Sequence, residues 1–223
     1  MLRFTAALLC YLILSGPTFA SEEVDTAIVF VVDVSDSMST DEVHFTRDAH
    51  AAALVSQPVQ EALRDSLTGR IAAAYVEYAI GAQVAVEWTI IDGAASALDF
   101  GNRIEATPLE DEPATYGTNM GPGLERAARL FDRLPYRAAR RIVDVVGDGK
   151  AKDEPATRIW RDELLVRGVI INGLPLMTAP AEPDVADWFA ATLVGGPGHF
   201  SWPLTDIREM PNALRQKILL ELY

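Results

Sequence analysis

Asp33, Ser35 and Ser37 stand at alternate positions directly after the apolar run Ile28-Val-Phe-Val-Val32, and all three carry side-chain oxygen. A carboxylate and two hydroxyls on one tight turn are hard ligands, the kind that Mg2+ and Ca2+ take. Two further oxygen donors lie far along the chain. Thr118 sits in the Pro- and Gly-rich stretch 108–123, and Asp148 follows the apolar run that ends at Gly147. Together Asp33 and Asp148 would neutralise a divalent cation, while Ser35, Ser37 and Thr118 would add oxygens without charge. An ion held that way stays electrophilic and keeps room for a water or an outside carboxylate, unlike one closed in an all-carboxylate cage. Serine, threonine and aspartate are also ordinary turn residues. The triplet therefore gains meaning only if the fold brings Thr118 and Asp148 to it.

The elements around these residues predict such a fold. Ile28 to Val32 is rich in β-branched residues and reads as a strand buried on both faces, as in a parallel sheet. Arg141–Gly147 and Val169–Leu176 read the same way. Ile71–Ala79 and Gln83–Ile91, joined through Ile80-Gly-Ala82, read as an antiparallel hairpin. Alternation at Val84, Val86 and Trp88 puts its second strand at a sheet edge. His199–Pro203 reads as a further short edge strand, ended by proline. Helical spacing accounts for the rest: a helix capped at Ser39 or Thr40 and running to Val55, then Val59–Leu67 after Pro58, and Ala94–Ile104. Others start at Leu124, cover Ala156–Leu164 and Val185–Leu193, and close the chain from Thr205 to about Leu220.

The expectation is a doubly wound α/β fold: a mostly parallel sheet, one antiparallel edge hairpin, and helices on both faces. No repeat or linker divides residues 21–223, which read as one domain. In an open α/β sheet, ligands bind beyond the carboxyl ends of the strands, where Asp33 and Asp148 fall.

Met1–Ala20 has a positive start at Arg3, an apolar run from Phe4 to Leu14, and a small-x-small ending at Thr18-Phe-Ala20. That pattern is a secretory signal peptide, and the run is shorter than the ~20 residues that span a bilayer. The mature chain is thus expected to be exported, periplasmic or secreted, and not inserted in a membrane. Cys10 is the only cysteine of the chain, so after cleavage neither disulfides nor thiol chemistry operate. A formal net charge of −13 excludes binding nucleic acid or anionic membrane through a general field.

Other sites are excluded by spacing. His44, His50 and His199 have no ligand-type separation, and the first two read as solvated residues on a surface helix. Gly147-Asp-Gly-Lys150 lacks the first glycine and the final Ser/Thr of a phosphate-binding loop. Gly117, Gly121 and Gly123 do not make G-x-G-x-x-G, and no G-x-S-x-G elbow occurs. Asp36 reads as a solvated acid, whereas Asp144 lies inside an apolar strand and needs a partner if buried.

In order along the chain, Asp33-x-Ser35-x-Ser37, Gly117-Thr118-Asn-Met-Gly121-x-Gly-Leu and the strand ending Gly-Asp148-Gly resemble von Willebrand factor type A domains. They match the three loops of that family's metal-ion-dependent adhesion site, and the resemblance covers nearly all of 21–223. It implies a Rossmann-like three-layer fold and a cation, Mg2+ or else Mn2+ or Ca2+, on Asp33, Ser35, Ser37, Thr118 and Asp148. It further implies a protein partner that presents an Asp or Glu to that ion, with Asp36, Met38, Tyr116, Asn119, Met120 and Lys150 around it. More narrowly, Arg140–Gly149, Ile171–Pro175 and Gly195-Gly-Pro-Gly198 resemble a bacterial family of exported type A domain proteins without an assigned function. That family's pattern has asparagines after the Gly-Asp-Gly turn, where this chain has Lys150-Ala-Lys152.

A Mg2+-dependent phosphohydrolase of the haloacid-dehalogenase type would also begin with a strand ending in aspartate, with Asp33 as nucleophile. Its general acid would stand two residues later, where this chain has Ser35. The expectation is therefore a binding module and not an enzyme.

Overall fold

A computed structural model describes residues 22–109, 117–178 and 183–222. Residues 1–20, expected to be a signal peptide, and Tyr116 lie outside the described residues. Its sheet has five strands in the order β3-β2-β1-β4-β5. They are β1 (Glu23–Asp33), β2 (Ile71–Tyr78), β3 (Ala82–Ile91), β4 (Arg137–Gly147) and β5 (Ile170–Pro175). β1 pairs in parallel with β2 and β4, β4 pairs in parallel with β5, and β3 runs antiparallel at the edge. This is the three-layer arrangement that the strand patterns predict. β1 is buried over nearly its whole length because it is the central strand, with helices covering both of its faces.

Alternation along the strands feeds two cores. Ile28, Phe30, Ile142 and Val146 face α1 (Thr40–Val55), α2 (Gln57–Asp65), α3 (Ala94–Glu105) and the terminal α7 (Met210–Leu222). Val29, Val31, Val143 and Val145 face α4 (Met120–Asp132), α5 (Glu154–Val166) and α6 (Val185–Trp188), which continues as a π-helical turn to Leu193. Ser39 caps α1 in a full capping box with Glu42. Among the described residues no helix is long and apolar enough to cross a membrane.

Several local expectations are corrected. α4 starts at Met120, ahead of Leu124, because Asp153 supplies the acceptor that its first turn lacks locally. His199–Pro203 is not a strand: Ser201 makes a single bridge to Gly173. The last helix begins at Met210, after a 3-10 turn over Ile207–Glu209. His50 is fully buried, its ring edge-on to Phe30 and Tyr75, while Nδ1 bonds the Thr46 carbonyl oxygen. Hydropathy spacing misplaces it because an aromatic core can accept a neutral imidazole, and burial lowers His50 to about 4. Asp144, also buried, finds its partner in Lys217 of α7.

Candidate metal centre

The sheet order puts β1 beside β4, so the ends of these two parallel strands present Asp33 and Asp148 side by side. The turn after β1 then folds back on itself. The Ser35 N–H donates to Asp33 Oδ1 at 2.8 Å, and the Met38 N–H donates to the Ser35 carbonyl at 2.9 Å. This winding turns both serine hydroxyls toward the strand ends. Ser35 Oγ lies 3.0 Å from Ser37 Oγ and 3.2 Å from Thr118 Oγ1, and Ser37 Oγ donates to Asp148 Oδ1 at 2.8 Å. All five residues singled out by spacing thus meet at one point.

Loop-to-loop hydrogen bonds hold them there. Asp36 Oδ1 accepts the Gly117 N–H at 2.9 Å, tying the first loop to the second. The Lys152 N–H donates to the Thr118 carbonyl at 2.9 Å, tying the third loop to the second. Asp153 reaches across to accept from the Met120 N–H at 3.0 Å and the Gly121 N–H at 3.1 Å. A carboxylate there satisfies the free amides of α4 and complements its dipole. Close packing demands glycine beside these contacts. A Cβ on Gly121 would come 2.5 Å from Asp153 Oδ2, and one on Gly147 would come 2.5 Å from Tyr78 Oη and 3.2 Å from Asp33 Oδ2.

The electrostatics favour a cation. Asp33 and Ser35 are fully buried, and Thr118 and Asp148 nearly so. Asp33 Oδ2 accepts no hydrogen bond, an orphaned carboxylate oxygen in the interior. Burial pushes Asp33 up to about 7, with hydrogen bonds from Ser35 opposing and the Asp148 charge adding to the rise. Burial and then those two carboxylates raise Tyr78 well above 10, which keeps it a neutral hydroxyl. A divalent ion would remove the mismatch by supplying positive charge to both acids. Among the described residues no three His, Cys, Asp or Glu side chains group as a ligand set. The donors here are mostly hydroxyls, which fit a hard cation and not a soft one.

The surroundings differ from expectation in part. Met38 and Met120 are buried in the two cores and do not border the site. Asn119 Nδ2 donates to the Ile80 carbonyl at 3.2 Å, and Lys150 pairs with Asp184 at 2.9 Å. Asp36 is exposed but engaged. Asp36, Tyr78, Gly147 and Asp153 support the site without matching any ligand pattern, and only Asp153, next to a Glu-Pro helix start, gives even a local hint of capping.

A mostly parallel five-stranded sheet between two helical layers is the three-layer fold of von Willebrand factor type A-like domains. Solved structures agree on the fold. The proximal thread matrix protein of the mussel byssus, in a structure described as having a zinc-occupied MIDAS motif, is 15% identical with a TM-score of 0.62. That match covers 91% of this chain and 47% of the mussel chain, so this chain spans about half its length. The pilus adhesin SpaC of Lactobacillus rhamnosus GG is 9% identical with a TM-score of 0.63, covering 90% of this chain and 31% of that one. The vWF domain of the type V pili tip protein Mfa5 of Porphyromonas gingivalis is 11% identical with a TM-score of 0.61, covering 90% and 97%. Among curated proteins no sequence matches. The chain belongs to the family described as "Protein of unknown function (DUF1194)", whose model matches residues 23–223.

Proposed function

We propose that this protein is an exported binding module, periplasmic or secreted, that takes an acidic side chain of a protein partner onto a divalent cation. Asp33, Ser35, Ser37, Thr118 and Asp148 would hold that ion. The observation that carries the reading is the convergence of these five side chains from three separate loops, with one buried carboxylate oxygen left unpartnered. The adhesin and matrix proteins that share the fold support a binding role. The bound ion would supply residual positive charge to an anionic ligand, because three of its five proposed protein donors are neutral.

The donor chemistry supports a hard cation, Mg2+ or else Mn2+ or Ca2+, because every proposed ligand is oxygen. The donors lie 2.8, 3.0 and 3.2 Å apart, close enough to share one ion. These are hydrogen-bond lengths, so a cation would take up the lone pairs of neutral hydroxyls that now bond one another.

Burial weighs against the phosphohydrolase reading. Asp33 is 0% exposed, out of reach of a phosphate ester, and position 35 is serine, so no acid stands there to protonate a leaving group. Calorimetric titration with Mg2+ and Mn2+ tests the proposal. Binding should disappear in Asp33→Ala and weaken strongly in Thr118→Ala, while aryl phosphate is not turned over in excess Mg2+. Full affinity in Asp33→Ala would remove the site. Metal-dependent turnover lost in Asp33→Asn would favour the hydrolase.

A further inference from the structure

β2 gives no ligand to the metal centre, yet Tyr78 at its end lies against every segment that does. In the parallel register Tyr78 stands level with Asp33 on β1, and Val32, the residue before Asp33, stands level with Val146 on β4. Tyr78, Asp33 and Gly147 thus form one row across three strands. The Tyr78 carbonyl oxygen accepts the Val34 N–H at 2.9 Å, and the Ala79 carbonyl oxygen accepts the Asn119 N–H at 2.7 Å. α4 packs on the same tyrosine, since a Cβ on Gly123 would come 3.2 Å from Tyr78 Cβ. The ring crosses β1 toward β4, where Oη donates to the Val146 carbonyl oxygen at 3.4 Å.

Volume alone does not explain that hydroxyl. Tyr78 is fully buried, where phenylalanine would fill the same space without a polar atom. The bond to Val146 is long beside the usual ~2.7–2.8 Å of an O–H···O bond, so the hydroxyl turns away from it at little cost. Next to it stands an oxygen that needs a donor, because Asp33 Oδ2 accepts no hydrogen bond. The two oxygens flank a single point. A Cβ on Gly147 would occupy it, 2.5 Å from Oη and 3.2 Å from Oδ2, and glycine leaves it open. After burial, the Asp33 charge is the largest influence that raises Tyr78, which stays a neutral donor.

We infer that Tyr78 is a positioning residue of the metal centre, whose hydroxyl donates to Asp33 Oδ2 and fixes that carboxylate around a bound cation. The role rests on the metal-binding proposal and adds to it a residue from the one neighbouring strand that supplies no ligand. A carboxylate oxygen has two lone pairs, so Oδ2 can face an ion and accept a hydroxyl together. Donors behind a ligand orient it, and losing one weakens metal binding about 10–100-fold. Because the hydroxyl is neutral, it leaves Asp33 and Asp148 to balance the cation alone.

Calorimetric titration of the mature chain with Mg2+, Mn2+ and Ca2+ at pH 8, above the Asp33 value of about 7, tests this in the wild type and in Tyr78→Phe. The variant keeps the ring, so with EDTA present it should unfold in urea at the wild-type midpoint. Its metal binding should remain but weaken about tenfold or more. The metal should also perturb the near-ultraviolet tyrosine absorption of the wild type, and that difference signal should vanish in Tyr78→Phe. Equal metal affinity in Tyr78→Phe, or a tyrosine signal that survives in it, would overturn the inference. So would an affinity loss matched by an equal loss of stability in EDTA, which marks packing and not positioning. A wild-type protein that binds none of the three ions would remove the metal centre itself, and this role with it.

Discussion

Replacing Lys217 with methionine tests how the core carries the charges of α7. Lys217, Asp144 and Glu221 are each 0% exposed. The ammonium pairs with Asp144 and, at 2.8 Å, with Glu221, which also accepts from Asn172 Nδ2 at 2.8 Å. One ammonium thus faces two carboxyls. Burial, then the Asp144 charge, pushes Glu221 up to about 7. Burial alone would lower Lys217, but Asp144 and Glu221 outweigh it and hold the ammonium above its ordinary value.

Near neutrality one ionised carboxylate balances Lys217. Methionine keeps the bulk and removes the charge, so that carboxylate must take a proton or stay unpaired in the core. Protonation costs about 1.4 kcal/mol per pH unit above the ordinary carboxyl values of about 4, hence about 5–6 kcal/mol at pH 8 and about 1 kcal/mol at pH 5. Breaking a buried pair costs about 3–5 kcal/mol by mutational precedent, a large part of the roughly 5–15 kcal/mol that stabilises a domain.

Urea unfolding followed by tryptophan fluorescence should show this loss at pH 8 and most of it recovered at pH 5. Wild-type His50, lowered to about 4 chiefly by burial, stays neutral over that range. In the wild-type protein the sign is the same. Glu221 binds its proton more tightly when folded, so its contribution is full below the unfolded value and is lost as pH rises through about 7. The triple variant Lys217→Met, Asp144→Asn, Glu221→Gln has no charge mismatch and should recover most of the stability at pH 8. A Lys217→Met loss below about 1 kcal/mol, or one equal at both pH values, would refute the reasoning.

Asp36→Ala removes the acceptor of the Gly117 N–H but no ligand, so metal affinity should fall roughly tenfold without vanishing; calorimetry that finds no change would show that the second loop needs no tether. With Asp33 at about 7, a cation must displace a proton, so affinity should fall by roughly tenfold per pH unit below that value, and a flat profile between pH 5 and 7 would contradict it. Mass spectrometry of the native protein should find Ser21 at the mature amino terminus, and an intact Met1 in the membrane fraction would count against export.

Much of the site can be read locally. Asp33, Ser35 and Ser37 follow a strand whose apolar run is unmistakable, and Asp148 follows another, so each strand end announces its own oxygen. The hairpin and the edge position of β3 follow from a short turn and a two-residue alternation. What fails is whatever depends on a distant partner. Leu124 looks like the start of α4 because Met120 and Gly121 have no local cap, yet Asp153 caps them from 33 and 32 residues away. His50 looks solvated because the sequence does not reveal that Phe30 and Tyr75 will surround it. Met38 and Met120 look like rim residues from their places beside ligands, but both turn inward.

The sequence by itself determined the element types, the strand-end positions of Asp33 and Asp148, and the hydroxyl-rich composition of the candidate ligand set. These depend on periodicity and residue chemistry, which are written in each short stretch. Only the tertiary structure decided that β1 and β4 are neighbours, that Thr118 reaches Ser35, and that Lys217 answers Asp144. The last two are pairings across 83 residues of chain for Ser35–Thr118 and 73 for Asp144–Lys217. They are chosen by which buried charges and unsatisfied oxygens the packed core can match, and no local pattern carries that information.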